Sequence, residues 1–553
     1  LKNNAMKPIM VEDIDSRKLR GGYYTPQPIA DFICKWAITE PAVRVLEPSC
    51  GDGNFVEAVI QRLLEIGVPE NELFGRIKGV ELLAVEAQKS KARAANYGLN
   101  STTITNADFF SFLAANPAER FDVVVGNPPF IRYQNFPEEH RSLAIQMMQE
   151  MGLNPNKLTN IWVPFLVLSA GRLNPGGKLG MVIPAELFQV KYAAETRVFL
   201  SRFFERVTIV TFKKLVFKDI QQEVVLLLCE KEVAGAKGIR VVEVTSMEEL
   251  ETLDIAAVQN GDVKVLEHDT EKWTKYFLDE AEIHLLRRFK TDPRIQLAGE
   301  LMITNVGLVT GINEFFMITQ QTAEQWGILP YTKRVVSRSA HFRGIKFTEQ
   351  DFLENAAAEI DSFLFLPPDE DFDKLPPACQ AYIRYGESKG YHKGYKCRIR
   401  KRWYITPSVY EPGGFALRQV GDYPKLIVNE TNASSTDTIH RLRFRPEVDS
   451  KKVVLSFLNS LTFAFSEITG RSYGGGVLTF EPTEIGEIPL PLLTHDRVDF
   501  EQVDALIRER RIMEVMNLID RELLIKQLKF TTAEVKQFRS IWKKLSGRRL
   551  NRK

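Results

Sequence analysis

Between residues 43 and 230, short β-branched and apolar runs alternate with longer amphipathic stretches, and few folds accommodate that alternation. The runs are VRVLE (43–47), IKGVEL (77–82), TTITNA (102–107), FDVVVG (121–126), KLGMVIP (178–184), RVTIVTF (206–212) and EVVLLLCE (223–230). Segments between them read as helices. Over 54–66, Phe55, Val59, Leu63 and Leu64 share one face, and a helix around 159–173 precedes an NPGG turn. This order predicts an α/β fold, a seven-stranded and mostly parallel sheet covered on both faces. The last two runs are too close for a helix between them, which predicts an antiparallel hairpin at the sheet edge.

From residue 246 the alternation fades. Short strands, aromatics, Pro and Gly dominate to 495, the pattern of an α+β domain, and 496–553 reads as a helical tail ending in RRLNRK. A chain of 553 residues is expected to hold more than one domain. Five scattered cysteines without a C-x-x-C pair, and seven dispersed histidines, predict neither a disulfide framework nor a metal site. No apolar run of about 18 residues or basic-then-apolar leader is present, so the expectation is a cytoplasmic protein without a membrane span.

VLEPSCGDGNF (45–55) sets a Gly-rich turn, with Gly51 and Gly53, between the first strand and first helix. In an open α/β sheet, ligands bind at the carboxyl ends of the strands, where glycine lets backbone amides approach closely. Glu47 ends strand one and Glu81 strand two; Asp108 and Phe109 follow strand three. Glu81 is placed to accept from ribose hydroxyls, and Asp108 from an adenine amine, with Phe109 covering the ring. The bland reading of each acid is helix capping. Three carboxylates would repel a pyrophosphate, and the turn lacks the G-x-x-x-x-G-K-[ST] pattern. A nucleoside bearing a cation, S-adenosyl-L-methionine, fits better.

Strand four runs into NPPF (127–130). Beside a methyl donor, the Asn127 side-chain carbonyl and the Pro128 backbone carbonyl can accept hydrogen bonds from one amino group, with proline limiting their freedom. Phe130 offers a face on which a flipped-out base can stack.

Together these motifs resemble the gamma-class DNA adenine-N6 methyltransferases, and among them the BsuBI/PstI-type modification methylases. The resemblance runs through GGYYTP (21–26), VLEPSCGDGNF, Glu81, Asp108-Phe109, NPPF and LVFKDIQQEVVLLL (215–228). It continues more loosely through NVGLVTGINEFF (305–316) and GRSYGGGVLTFEPTEIGEIPLP (470–491). It implies a Rossmann-like class I methyltransferase domain over 15–245 and a DNA target-recognition domain over 246–495. Tyr24 and Thr25 would reach the cofactor's methionine carboxylate, with Pro48 and Ser49 in the cofactor turn. Asn127 would also face the cofactor, and Phe217 would stack on the extruded adenine. Phe130 replaces the tyrosine found in many members. The implied activity is site-specific adenine methylation of double-stranded DNA, with CTGCAG as a candidate target. A monomer is expected, since a palindrome can be modified one strand at a time. With no clear P-D…(D/E)-x-K constellation or metal-ligand cluster in the sequence, any cognate restriction endonuclease is expected to be a separate chain.

Asn-Pro-Pro-aromatic also occurs in enzymes that methylate glutamine amides or rRNA guanine N2. The long second domain and Asn127 in place of Ser favour adenine in DNA. A catalytically silent DNA-binding subunit is a further alternative, against which the intact motifs argue. For DNA contact the candidates are Lys393, Lys396, Arg398, Arg400 and Arg402 in YHKGYKCRIRKRWY (391–404), with Arg338, His341 and Arg343 in SRSAHFRG. The competing reading of the first stretch is a solvated hairpin with a charged face.

Overall fold

The computed structural model describes residues 24–132, 135–155, 159–213, 223–261, 263–264, 272–472 and 476–551. Two compact units divide between Phe277 and Leu278. The first therefore runs about 30 residues beyond the boundary expected at 245.

The first unit is built on eight strands: β1 (Val45–Glu47), β2 (Ile77–Glu81), β3 (Ile104–Asn106), β4 (Phe121–Gly126), β5 (Leu173–Pro184), β6 (Arg206–Phe212), β7 (Val224–Glu230) and β8 (Gly238–Val244). Their spatial order is β3-β2-β1-β4-β5-β7-β6-β8. All run parallel except β7, which pairs antiparallel with both β5 and β6. The β6–β7 hairpin thus forms as expected but does not lie at the edge. An eighth strand, whose IRVVEV run carries two charged residues among four apolar ones, pairs parallel with β6 along its full length and covers it.

β4 shows why a parallel strand reads as an unbroken apolar run. Val123, Val124 and Val125 are at most 2% exposed, so each contributes about 1.5–3 kcal/mol of burial. Asp122 is tied off by the Arg44 amide at 2.8 Å and the Asn174 amide group at 2.7 Å. The expected NPGG turn lies inside β5, where a register shift against β4 absorbs the extra residues.

Helices cover the sheet. α1 (Gln27–Ala37) and α2 (Asn54–Glu65) bury Ile29, Ile33, Val56, Val59 and Ile60 in one apolar core. α3 (Ala84–Ala95) follows β2, α4 (Phe109–Ala115) follows β3, and α5 (Glu138–Glu150) and α6 (Trp162–Ala170) follow β4. The order of strands reverses at β1 and β4, so their carboxyl ends flank the crevice where such sheets bind ligands.

The second unit has the mixed character expected. A five-stranded sheet runs in the order Met302–Asn305, Ile439–Phe444, Gly414–Leu417, Leu426–Asn429, Lys346–Phe347, beside a four-stranded sheet and many short helices. Residues 497–550 are helical as read, but they are part of this unit rather than a separate tail. Helix Thr532–Leu550 packs on helix Ser460–Thr469, and Arg549 pairs with Glu467 at 2.8 Å, both 2% exposed. No helix among the described residues is long and apolar enough to cross a membrane.

Candidate active site

The acids at the strand ends are buried. Glu47, closing β1, is 1% exposed, and its Oε2 has no partner at hydrogen-bonding geometry. Burial first, and the nearby Glu81 carboxylate second, push its carboxyl well above the usual carboxylate range; Ser49 and Cys50 oppose that rise without reversing it. Gly126, closing β4, allows this arrangement. A Cβ there would sit 2.5 Å from Glu47 Oε1 and 3.3 Å from Pro48. The two strand ends approach closely only because position 126 has no side chain.

Glu81 is also buried. Its Oε2 accepts from the Gly51 amide at 2.9 Å and its Oε1 from the Leu83 amide at 2.8 Å. It therefore braces the Gly-rich turn, and each oxygen keeps a second lone pair for an incoming donor. Gly53 takes φ +96 at the start of α2, where a Cβ would lie 3.0 Å from Ser90 Cα of α3. Asn54, the next residue, donates to the Thr25 carbonyl at 2.9 Å. Thr25 is buried with its Oγ1 unpartnered. Tyr24 is 42% exposed and its hydroxyl donates to Glu86 at 2.9 Å, a partner the sequence did not signal.

Asp108 and Phe109 take up structural roles. The Asp108 Oδ1 caps α4, accepting from the Ser111 amide at 2.9 Å and the Ser111 hydroxyl at 3.0 Å, with His140 Nδ1 at 3.3 Å. The Phe109 ring is 2% exposed and stacks on Phe165 at 5.0 Å, so it faces an aromatic cluster with Phe110 rather than an open surface. His140 carried no sequence signal, because only the fold brings α5 to the α4 cap.

After Gly126, Asn127 and Phe130 are half-buried and Pro128 is buried. The Ser49 hydroxyl donates to the Asn127 backbone carbonyl at 3.4 Å, linking the turn after β1 to the NPPF segment. Phe130 packs against the apolar core of this unit. Phe217 lies outside the described residues.

In the second unit, the candidate DNA contacts separate. The 391–402 stretch is neither a hairpin nor extended: it forms helical turns at Tyr391–Lys393 and Tyr395–Arg398. Lys393, Lys396 and Arg398 are exposed. Arg402 is held by Asp369 and Asp371, both at 2.7 Å. Arg400 donates to the Val309 carbonyl at 2.8 Å and lies over Phe316. Arg338 is exposed and Arg343 pairs with Glu354. His341 is 3% exposed; burial, with Arg338 adding to it, lowers its pKa to about 4. It is a neutral interior residue rather than a phosphate contact, and Arg402 and Arg343 are already paired with carboxylates.

Comparison with known proteins adds to this geometry. The family model described as Eco57I restriction-modification methylase matches residues 73–217, and that for the C-terminal domain of the type II methyltransferase M.Eco57I matches 270–524. The chain is 22% identical over 550 residues to the type II methyltransferase M.AccI of Acinetobacter calcoaceticus, covering 92% of this chain and 94% of that one. It is 20% identical to M.XamI of Xanthomonas campestris pv. amaranthicola, covering 86% of this chain and 85% of the relative. Its fold is similar to that of the type IIL restriction-modification enzyme MmeI, solved in complex with DNA. The TM-score is 0.58 at 12% identity, over 94% of this chain and 75% of MmeI.

Proposed function

We propose that this chain, matched by the two Eco57I methylase family models over 73–217 and 270–524, is a type II restriction-modification DNA methyltransferase that methylates N6 of adenine in a specific double-stranded DNA sequence, with S-adenosyl-L-methionine as donor. The observation that carries this reading is the buried, unpartnered Glu47 oxygen beside the Gly126-Asn127-Pro128 strand end. A buried carboxyl oxygen left without a donor, on a group that burial holds above the usual carboxylate range, suits a cationic ligand that would restore its charge. The pair of Glu81 oxygens, each with spare acceptor capacity, suits a ribose. The residues present therefore fit the cofactor: Glu47 and Thr25 toward its charged end, Glu81 toward its sugar, and the turn of Gly51 and Gly53 against its backbone-facing side.

When bound, S-adenosyl-L-methionine supplies an electrophilic methyl group on a sulfonium. The protein's task is to make a weakly nucleophilic amine attack it. Adenine N6 has its lone pair delocalised into the ring. The Asn127 side-chain carbonyl and the Pro128 backbone carbonyl accept hydrogen bonds from its two N–H groups, which turns the lone pair out of the ring plane. Rate enhancement then comes from orientation and preorganised dipoles, without a strong base. Phe130 stacks on one face of the extruded base and Phe217 on the other. Asn127, where cytosine-N4 enzymes usually carry Ser, favours adenine.

The second unit reads the sequence from the duplex, and a cognate endonuclease, where present, is a separate chain. The enzyme works as a monomer in the cytoplasm, one strand at a time. The narrower BsuBI/PstI assignment, with CTGCAG as target, rests on the sequence motifs alone. Sequencing native DNA from a host expressing the protein tests all of this: modified adenines at one recurrent sequence are expected, and unmodified DNA would refute the reading.

A further inference from the structure

The basic stretch around 391–402 contains two populations of cations. Arg400 and Arg402 are engaged within the fold, by a carbonyl and by two carboxylates. Lys393, Lys396, Arg398 and Lys401 are exposed, and among the described residues none of these four forms an ion pair. Among them stand two large apolar side chains in water: Tyr395, 65% exposed, and Ile399, 59% exposed. They are four residues apart on one helical turn and so share a face. Val309, 42% exposed, is drawn beside this turn by the Arg400 bond to its carbonyl.

Scattered exposed apolar residues are ordinary, but an apolar cluster rimmed by unpaired charges of one sign marks a contact surface. The sign selects the partner. Lys393, Lys396 and Arg398, with Lys401 shared with the Asp371 that holds Arg402, disfavour another basic or purely apolar protein face and complement a polyanion.

We propose that Tyr395 and Ile399 lie against base edges in a groove of the target duplex, while Lys393, Lys396, Arg398 and Lys401 neutralise the phosphates on either side. An aromatic ring and a branched aliphatic chain pack on base edges and thymine methyl groups, and phosphate contacts set register without reading sequence. This assignment rests on the DNA-methyltransferase reading above and makes the 395–399 turn a specificity determinant within it.

The test uses the full-length protein and two fluorescein-labelled duplexes, one carrying the methylated site mapped in the host and one scrambled. Affinities are measured by anisotropy across a salt series. Tyr395→Ala/Ile399→Ala should lose roughly tenfold in affinity for the site duplex, much less for the scrambled one, with an unchanged salt slope. Lys396→Ala/Arg398→Ala/Lys401→Ala should weaken both equally and reduce the slope by about 0.9 for each phosphate left without its cation. Tyr395→Ser alone serves where the double variant does not fold, and cofactor binding reports folding in every case. Wild-type discrimination in the apolar variants would overturn the proposal. So would an altered sedimentation coefficient with intact DNA binding, which would make the turn a protein-docking face. A wild-type chain that binds neither duplex fails the underlying reading, a result distinct from a defect confined to the variants.

Discussion

Gly126 and Glu47 meet across the seam between β4 and β1: a Cβ at position 126 would lie 2.5 Å from Glu47 Oε1. One missing side chain thus lets the proposed catalytic segment and the proposed cofactor carboxylate share a corner.

Gly126→Ala should displace that carboxylate. Overpacking of this kind costs about 1–3 kcal/mol of stability, while cofactor affinity should fall about tenfold or more, or about 1.4 kcal/mol. Calorimetric titration of S-adenosyl-L-methionine into folded variant checks this; wild-type affinity would remove Glu47 from the cofactor site.

Glu47→Gln should stabilise the ligand-free protein. The Glu47 carboxyl has a folded-state pKa raised above its unfolded value, so the folded chain holds the proton more tightly and stability declines as pH rises above about 4.5. Removing the charge lifts that penalty at neutral pH, raising Tm by about 2–4 °C for each kcal/mol gained. Cofactor binding should weaken in the same variant. Thermal melts with and without S-adenosyl-L-methionine should therefore move in opposite directions.

His341 makes the second unit acid-sensitive. Its pKa is lowered to about 4, so the unfolded chain takes up the proton first, and stability present above pH 6.5 is lost as pH falls toward 4. Hydrogen exchange of amides near Asn355, whose side chain donates to the His341 carbonyl at 3.3 Å, should accelerate across that window. His341→Asn should flatten the response and leave the salt dependence of DNA binding unchanged.

Arg549→Met should cost about 3–5 kcal/mol, because it strands Glu467 as an uncompensated buried charge. Arg549 also donates to the Gly476 carbonyl at 2.7 Å, so the loss should extend beyond the terminal helix. Urea unfolding followed by tryptophan fluorescence, with Trp542 in that helix, measures it.

The local code was legible wherever one element carries its own signal. Apolar runs marked β1 to β7, and with them the positions of Glu47 and Glu81 at two strand ends and of Asn127 just beyond a third. What could not be read depends on distant partners. Arg402 looks like a free cation until Asp369 and Asp371, some 30 residues earlier, are folded against it. His341 lies in a polar, basic string yet its side chain is interior, and no periodicity announces that. Phe109 was read as a ligand surface, but Phe165 claims its ring. β8 was missed because Arg240 and Glu243, three residues apart, break both the continuous apolar run of a buried strand and the strict alternation of a half-buried one. The helices after 497 seemed a tail because an amphipathic helix does not name the surface it covers.

The most direct measurement is nucleoside mass spectrometry of plasmid DNA incubated with the purified chain and deuteromethyl S-adenosyl-L-methionine, using wild type and Asn127→Ala. The wild type should yield deuterated N6-methyldeoxyadenosine, and Asn127→Ala should bind the donor but transfer nothing. N4-methyldeoxycytidine from the wild type, or undiminished transfer by Asn127→Ala, would contradict the account.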